Sequence, residues 1–110
     1  MLDIRLYMLQ RITALIMAPL TLGHIAVMIY AVQDGLTAAE ILDRTQGSVM
    51  WFLFYGTFVI AVSVHAAIGL RVIVAETLKL GGYALNALTW GLCLIFLFMG
   101  VRAVMAVTML

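Results

Sequence analysis

The amino-acid sequence predicts an all-α membrane protein with three transmembrane helices that run up, down and up from a cytoplasmic N-terminus. Hydrophobic residues make up 66% of the 110-residue chain and charged residues only 10%, which is more apolar surface than one soluble core of this size can bury. Three stretches, residues 12–32, 47–70 and 80–101, contain no Asp, Glu, Lys or Arg. Each is long enough to cross a bilayer, which takes roughly 20 residues. Residues 1–110 are therefore expected to form a single membrane domain.

The charged residues between the spans predict the orientation. Three spans place the N-terminus and the second connection on the same side of the membrane, and these segments carry most of the basic residues, which favours the cytoplasm for that side. The first connection is acidic, while Arg102 near the C-terminus runs against the rule. The inner side has Arg5, Arg11, Arg71 and Lys79, and the first connection has Asp34, Glu40, Asp43 and Arg44. A net charge of +1 without a basic patch argues against a nucleic-acid partner. Membrane lipid is the expected environment of most of the chain.

The first span resembles a signal peptide only superficially. Arg5 and Arg11 precede it, but it is too long for a signal-peptide core and has no convincing small-x-small cleavage site. We therefore expect it to be retained as a transmembrane helix. Pro19 lies inside it and is expected to kink the helix or loosen its hydrogen bonding.

Two shorter patterns concern the other elements. Thr37-Ala38-Ala39-Glu40 has the spacing of a capping box, which predicts a short surface helix in the first connection. In the third span Ala87 and Gly91 are one turn apart, and this small-xxx-small spacing allows close approach of another helix.

His65 is the most informative residue of the second span. A polar ring in hydrocarbon is costly without a partner, and a neutral imidazole can bind a metal such as haem iron through one nitrogen. Gly69, one turn on, leaves room for a macrocycle against the helix. Arg71 is about 9 Å nearer the helix end, at a suitable depth for haem propionates. The alternative is a histidine that hydrogen-bonds to a neighbouring helix.

His24 lies deep in the first span, on one helical stripe with Met17, Thr21 and Met28. It is about 18–20 Å from the cytoplasmic end of its span, whereas His65 is about 8–9 Å deep. Because two axial ligands of one haem lie at nearly the same depth, the two histidines are not expected to share an iron. His24 is interpreted as a packed histidine, with ligation of a second haem as the alternative.

Arg11, Thr13 and Glu76 lie near the cytoplasmic end. Arg11 and Thr13 can donate to a quinone carbonyl, and Glu76 can relay protons nearby. Anchoring by the positive-inside rule explains Arg11 equally well, and Glu76 can be an interfacial charge paired with Arg71 or Lys79.

These residues resemble a known family, the membrane-anchor subunits of succinate:quinone oxidoreductases, which comprise succinate dehydrogenase and fumarate reductase. The second helix of such cytochrome b-type anchors carries a pattern like His-xxx-Gly-x-Arg-xxxx-Asp, matched here by His65, Gly69, Arg71 and Glu76, with glutamate for aspartate. Gln10-Arg11-Ile12-Thr13-Ala14 looks like the Arg-x-Ser/Thr-Gly/Ala opening of the first helix.

The resemblance implies a non-catalytic anchor subunit of respiratory complex II, in a bacterial cytoplasmic (inner) membrane. His65 would be one axial ligand of haem b, with the second supplied by a partner anchor subunit. Arg11 and Thr13 would contact a quinone, either ubiquinone or menaquinone, or the propionates, with Arg71 and Glu76 nearby. Electrons would arrive from a flavoprotein subunit that holds FAD, through the clusters of an iron–sulfur subunit.

Two departures and two alternatives accompany this hypothesis. Thr77 stands where the smaller anchor often has a quinone-binding tyrosine, and Arg71 matches the larger anchor whereas the short N-terminus matches the smaller. One alternative is a haem-free anchor of a quinol:fumarate reductase. The other, a small membrane transporter, is disfavoured because no span contains an Asp or Glu that could act as a coupling site.

Overall fold

The structure is a computed structural model that describes residues 3–108. It contains four α-helices: α1 (Ile4–Asp34), α2 (Ala38–Thr45), α3 (Val49–Thr77) and α4 (Gly82–Thr108). No strand occurs in this part of the chain. Helices α1, α3 and α4 are long and apolar enough to cross a membrane, which confirms the predicted all-α class with three spans.

The three long helices lie side by side. The longest dimension of the molecule is 47 Å, which is about the length of a 31-residue helix such as α1. Because short connections join the helices, the chain runs up, down and up. Helix α3 is central, with α1 and α4 packed on it and α2 against α4.

Each long helix continues beyond the charge-free stretch that predicted it. α1 begins at Ile4, where the Asp3 carboxylate accepts a hydrogen bond from the Leu6 N–H at 2.9 Å. Helix α3 ends at Thr77, so Arg71 and Glu76 lie on it. The length of a charge-free stretch reflects the thickness of the hydrocarbon layer, whereas capping residues determine where the helix ends. α1 also continues through Pro19 without a break.

Two glycines mark where the helices approach most closely. A Cβ on Gly100 of α4 would lie 3.0 Å from Cγ2 and 3.2 Å from Cβ of Val59 on α3, and nearer still to Cγ1. A Cβ on Gly23 of α1 would lie 3.1 Å from the Phe54 ring of α3. The face formed by Ala87 and Gly91 makes no close helix contact within residues 3–108, because Ala87 is exposed and a Cβ on Gly91 would meet no atom within 4 Å.

Helix α2 begins with the predicted capping box. The Thr37 hydroxyl accepts from the Glu40 N–H, while the Glu40 carboxylate accepts from the Thr37 N–H at 3.0 Å and the Thr37 hydroxyl at 2.8 Å. These two donors, the backbone N–H first, lower the pKa of Glu40 below its ordinary value. The capping box therefore depends on an ionised Glu40.

The end of α2 is tied to the end of α4. The buried Thr45 hydroxyl lies 2.6 Å from the Val107 carbonyl, and the Gly47 N–H donates to the Thr108 carbonyl at 2.7 Å. Both carbonyls belong to the last turn of α4, where helical partners are missing. Helix α2 thus closes the end of the bundle away from the N-terminus.

Candidate functional site

His65 is held against α1 by a side-chain hydrogen bond. Its Nδ1 lies 3.1 Å from Oγ1 of Thr13, a residue that is only 5% exposed. The Thr13 hydroxyl also lies 2.9 Å from the Leu9 carbonyl and 3.0 Å from the Gln10 carbonyl of its own helix. The structure therefore brings together two of the residues that the sequence singled out, one from each motif.

The second ring nitrogen of His65 points away from this bond. Among residues 3–108, Nε2 has no hydrogen-bond partner, and the His65 side chain is half-buried. One nitrogen is tied to the protein and the other remains available, which is the arrangement that an imidazole needs to bind a metal.

Gln10 adds an amide that the sequence analysis did not assign to the site. Its Oε1 is buried and has no hydrogen-bond partner in the described part of the chain. A Cβ on Gly69 would lie 3.7 Å from the Gln10 Nε2, so the amide lies beside the glycine that follows His65 by one turn. The helical spacing of Gln10 and Thr13, three residues apart, could have identified it.

A buried amide oxygen without a donor is costly, and such groups in folded proteins usually have an explanation. Here the Gln10 amide lies beside Gly69, and Gly69 follows His65 by one turn of α3. We call His65, Gly69, Gln10 and Thr13 the α1–α3 site. Its chemistry fits a flat group that brings a metal to an imidazole and polar atoms to an amide.

Arg71 lies against α4 and not in the α1–α3 site. Its Nη1 donates to the Asn86 side-chain oxygen at 2.9 Å and to the Thr89 hydroxyl at 3.1 Å. Arg71 thereby lines a cleft of about 300 Å³ between α1, α3 and α4, which also includes Asn86, Trp90 and Cys93. Asn86 lies in a charge-free stretch, and no motif in the sequence points to it.

The structure does not bring Arg11 and Glu76 to His65. Arg11 is exposed, with its guanidinium carbon 5.9 Å from the centre of the Tyr7 ring one turn earlier. Glu76 is exposed as well, and within residues 3–108 it forms no salt bridge with Arg71 or Lys79. Both side chains therefore lie on the surface of this chain.

His24 occupies a separate place at the other end of the bundle. Its ring centre is 5.3 Å from that of Phe58 and 6.2 Å from that of Tyr55. Together these residues line a cavity of about 390 Å³ that reaches Thr45 and Val104. Phe58 precedes His65 by almost two turns, about 10 Å along α3, so the two histidines lie at different depths.

Among residues 3–108, no group of three or more His, Cys, Asp or Glu side chains is placed to hold a metal ion by itself. A haem iron needs fewer protein ligands from one chain than a bare metal ion does, because a single histidine can bind it. The α1–α3 site contains one histidine, His65, whose Nε2 has no hydrogen-bond partner among residues 3–108.

Comparison with known proteins identifies a family for this chain. A family model described as succinate dehydrogenase/fumarate reductase transmembrane subunit matches residues 2–101. Neither the curated proteins nor the solved structures contain a match. The matched range includes His65, Thr13 and every other residue of the α1–α3 site.

Proposed function

The chain belongs to the family of succinate dehydrogenase/fumarate reductase transmembrane subunits, and from this premise we propose that it binds haem b through His65 and helps to pass electrons to a quinone. As a membrane-anchor subunit it works within a larger complex. We assign that complex to succinate dehydrogenase, in which a flavoprotein subunit and an iron–sulfur subunit deliver the electrons.

The observation that carries this proposal is the His65 side chain, tied to α1 through Nδ1 and available through Nε2. Gly69 brings no side chain to the surface of α3 that faces Gln10, and Oε1 of Gln10 has no hydrogen-bond partner among residues 3–108. A flip of the amide exchanges its donor and acceptor atoms, so Gln10 can offer an N–H to an oxygen of the bound group from either position. The residues present fit a haem.

A bound haem supplies a one-electron centre, while the protein positions it and sets its electrostatics. A partner anchor subunit would supply the other protein ligand. His24 lies too far along the bundle to serve the same iron, and we retain it as a packed histidine between Tyr55 and Phe58.

We place the quinone headgroup in the cleft lined by Arg71. Asn86 and Thr89 hold the guanidinium through Nη1, and its other N–H groups are available to donate to a quinone carbonyl. Apolar residues such as Ile68 line the cleft and suit an isoprenoid tail. Arg11 and Glu76 are exposed in this chain, so they can contribute to a quinone site only together with a partner subunit.

The haem assignment is tested by a reduced-minus-oxidised absorption spectrum of the purified complex. We expect a b-type spectrum in the wild type that is lost in His65→Ala and retained in His24→Ala, the matched control. Flavin content shows that the complexes assemble. A wild-type complex without b-type absorbance, or a spectrum unchanged by His65→Ala, would contradict the assignment and favour the haem-free anchor.

The quinone assignment is tested by comparing two electron acceptors. Loss of a hydrogen bond to a charged donor costs roughly 1.5–3 kcal/mol, which corresponds to about 10- to 150-fold. We expect Arg71→Met to lower the kcat/KM for quinone by about that factor while succinate oxidation with artificial dyes is unchanged. Arg11→Ala should impair quinone reduction less. An equal loss with both acceptors would indicate failed assembly.

A further inference from the structure

We propose that Thr13 is a positioning residue that selects the tautomer of His65 and increases its strength as a ligand. In this role the Thr13 hydroxyl accepts a hydrogen bond from Nδ1–H, so that Nε2 keeps its lone pair for the metal. The inference rests on the proposed function, because it concerns the same histidine and the same haem. It differs from the role that the family resemblance implied, in which Thr13 contacts quinone or propionates.

The direction of the hydrogen bond follows from the number of protons available. The Thr13 hydroxyl has three neighbours: the Leu9 carbonyl at 2.9 Å, the Gln10 carbonyl at 3.0 Å and Nδ1 of His65 at 3.1 Å. A hydroxyl has one proton, and the two carbonyls can only accept. If that proton pointed to His65, two carbonyl oxygens would face the hydroxyl oxygen with no hydrogen between them. The carbonyls therefore share the proton, and Nδ1 is the donor to Thr13.

This direction fixes the state of the other nitrogen. A neutral imidazole carries one N–H, so a proton on Nδ1 leaves Nε2 with its lone pair. The opposite tautomer would place a hydrogen on Nε2, which could then not bind iron. Because Thr13 is only 5% exposed and its proton is taken by its own helix, it has no donor left for a quinone.

The hydrogen bond also affects the metal. An acceptor on Nδ1–H makes the imidazole more basic and orients the ring, and loss of such a partner typically reduces metal affinity by about 10- to 100-fold. A more basic ligand stabilises the ferric state over the ferrous state, which lowers the reduction potential. Hydrogen bonding to the axial ligand is one of the levers by which a protein sets a haem potential.

The test compares Thr13→Val and Thr13→Ser in the assembled complex. Thr13→Val removes the acceptor at similar volume, and Thr13→Ser retains it. Thr21→Val makes the same change on α1 at a residue whose side chain, among residues 3–108, forms no hydrogen bond with either histidine. We expect the haem midpoint potential to rise in Thr13→Val, with a fall of about 10- to 100-fold in haem affinity. Thr13→Ser and Thr21→Val should keep the wild-type potential.

The outcomes separate this inference from the proposed function. A wild-type complex without haem overturns the proposed function. A wild-type complex with haem, together with an unchanged potential in Thr13→Val or an equal shift in Thr13→Ser, overturns only the role of Thr13.

A second measurement follows the hydrogen bond itself. In complexes with ¹⁵N-labelled histidine and reduced, diamagnetic haem, the proton on Nδ1 of His65 should resonate further downfield in the wild type and in Thr13→Ser than in Thr13→Val, because only the first two offer it a hydroxyl acceptor. The signal is assigned by its absence from the His65→Ala complex. An equal chemical shift in the wild type, Thr13→Ser and Thr13→Val would overturn the inference.

Discussion

Replacement of Gly100 by alanine tests how closely α3 and α4 pack. The added Cβ would lie 3.0 Å from Cγ2 and 3.2 Å from Cβ of Val59, and nearer to Cγ1. Valine is β-branched and has one strongly preferred rotamer in a helix, so its methyl groups cannot turn aside and the helices must separate. Overpacking of this kind costs about 1–3 kcal/mol. Alanine also improves helix propensity over glycine by roughly 1 kcal/mol, which partly offsets the loss.

Gly91→Ala is the matched control for this prediction. It makes the same change on the same helix, where a Cβ would meet no atom within 4 Å, so the gain in propensity is common to both variants. We therefore expect Gly100→Ala to be less stable than Gly91→Ala by about 1–3 kcal/mol. The comparison is made from the thermal denaturation of the purified complex, followed by circular dichroism at helical wavelengths.

A second substitution identifies the cause. Val59→Ala removes both methyl groups that meet the new Cβ, so it should recover stability in the Gly100→Ala background although it costs stability in the wild type. Such a coupling between contacting residues is typically 0.5–3 kcal/mol, of either sign. If Gly100→Ala proves as stable as Gly91→Ala, the described approach of α3 and α4 is wrong.

Three further predictions concern the end of the bundle that α2 closes. Thr45→Val removes the donor to the Val107 carbonyl, at a cost of about 1–3 kcal/mol. This loss should appear as faster amide hydrogen exchange in α2. As a control, Thr57→Val, which replaces an exposed threonine on α3, should leave that exchange unchanged. The pKa of Glu40 is lowered in the folded state. Ionised Glu40 therefore stabilises the fold at pH values above the ordinary carboxyl pKa, and this stabilisation is lost as the pH falls through the folded-state pKa. The protection of α2 should fall in that acidic range, and Glu40→Gln, which keeps an acceptor for the capping box, should lack this step. His24→Phe should leave the ratio of haem to flavin unchanged, and a lower ratio would indicate a second haem.

The sequence was sufficient for the elements but not for the contacts between them. The charge-free stretches located all three spans, and the spacing of Thr37 and Glu40 located α2. The spans are apolar around their whole circumference, so periodicity could not indicate which face of α1 meets α3. The resemblance implied that Thr13 contacts quinone or propionates and that His65 binds haem, but only the packed helices show that the two side chains meet.

The close approach at Gly100 illustrates the same limit. Gly100 is preceded by Phe96 and followed by Val104 at one-turn spacing, so no small-xxx-small pattern identifies it, whereas Ala87 and Gly91 match that pattern and make no close approach in residues 3–108. In a lipid environment helix contacts depend on shape complementarity between particular side chains. That complementarity cannot be read from one sequence by spacing alone.

The hydrogen-bond partners of Arg71 could be identified only from the structure. Helical spacing already placed it about 120° from His65, on a different face of α3. Its acceptors, Asn86 and Thr89 on α4, follow only from the packing of α3 on α4. The same packing creates the cleft in which we place the quinone.

The most direct test of haem binding by His65 is an electron cryo-microscopy map of the assembled complex around the α1–α3 site. We expect porphyrin density against Gly69, with iron at bonding distance from Nε2 of His65 and with Nδ1 hydrogen-bonded to the Thr13 hydroxyl. A map with lipid or a protein side chain in that place, and no porphyrin next to His65, would contradict the proposal that His65 binds haem.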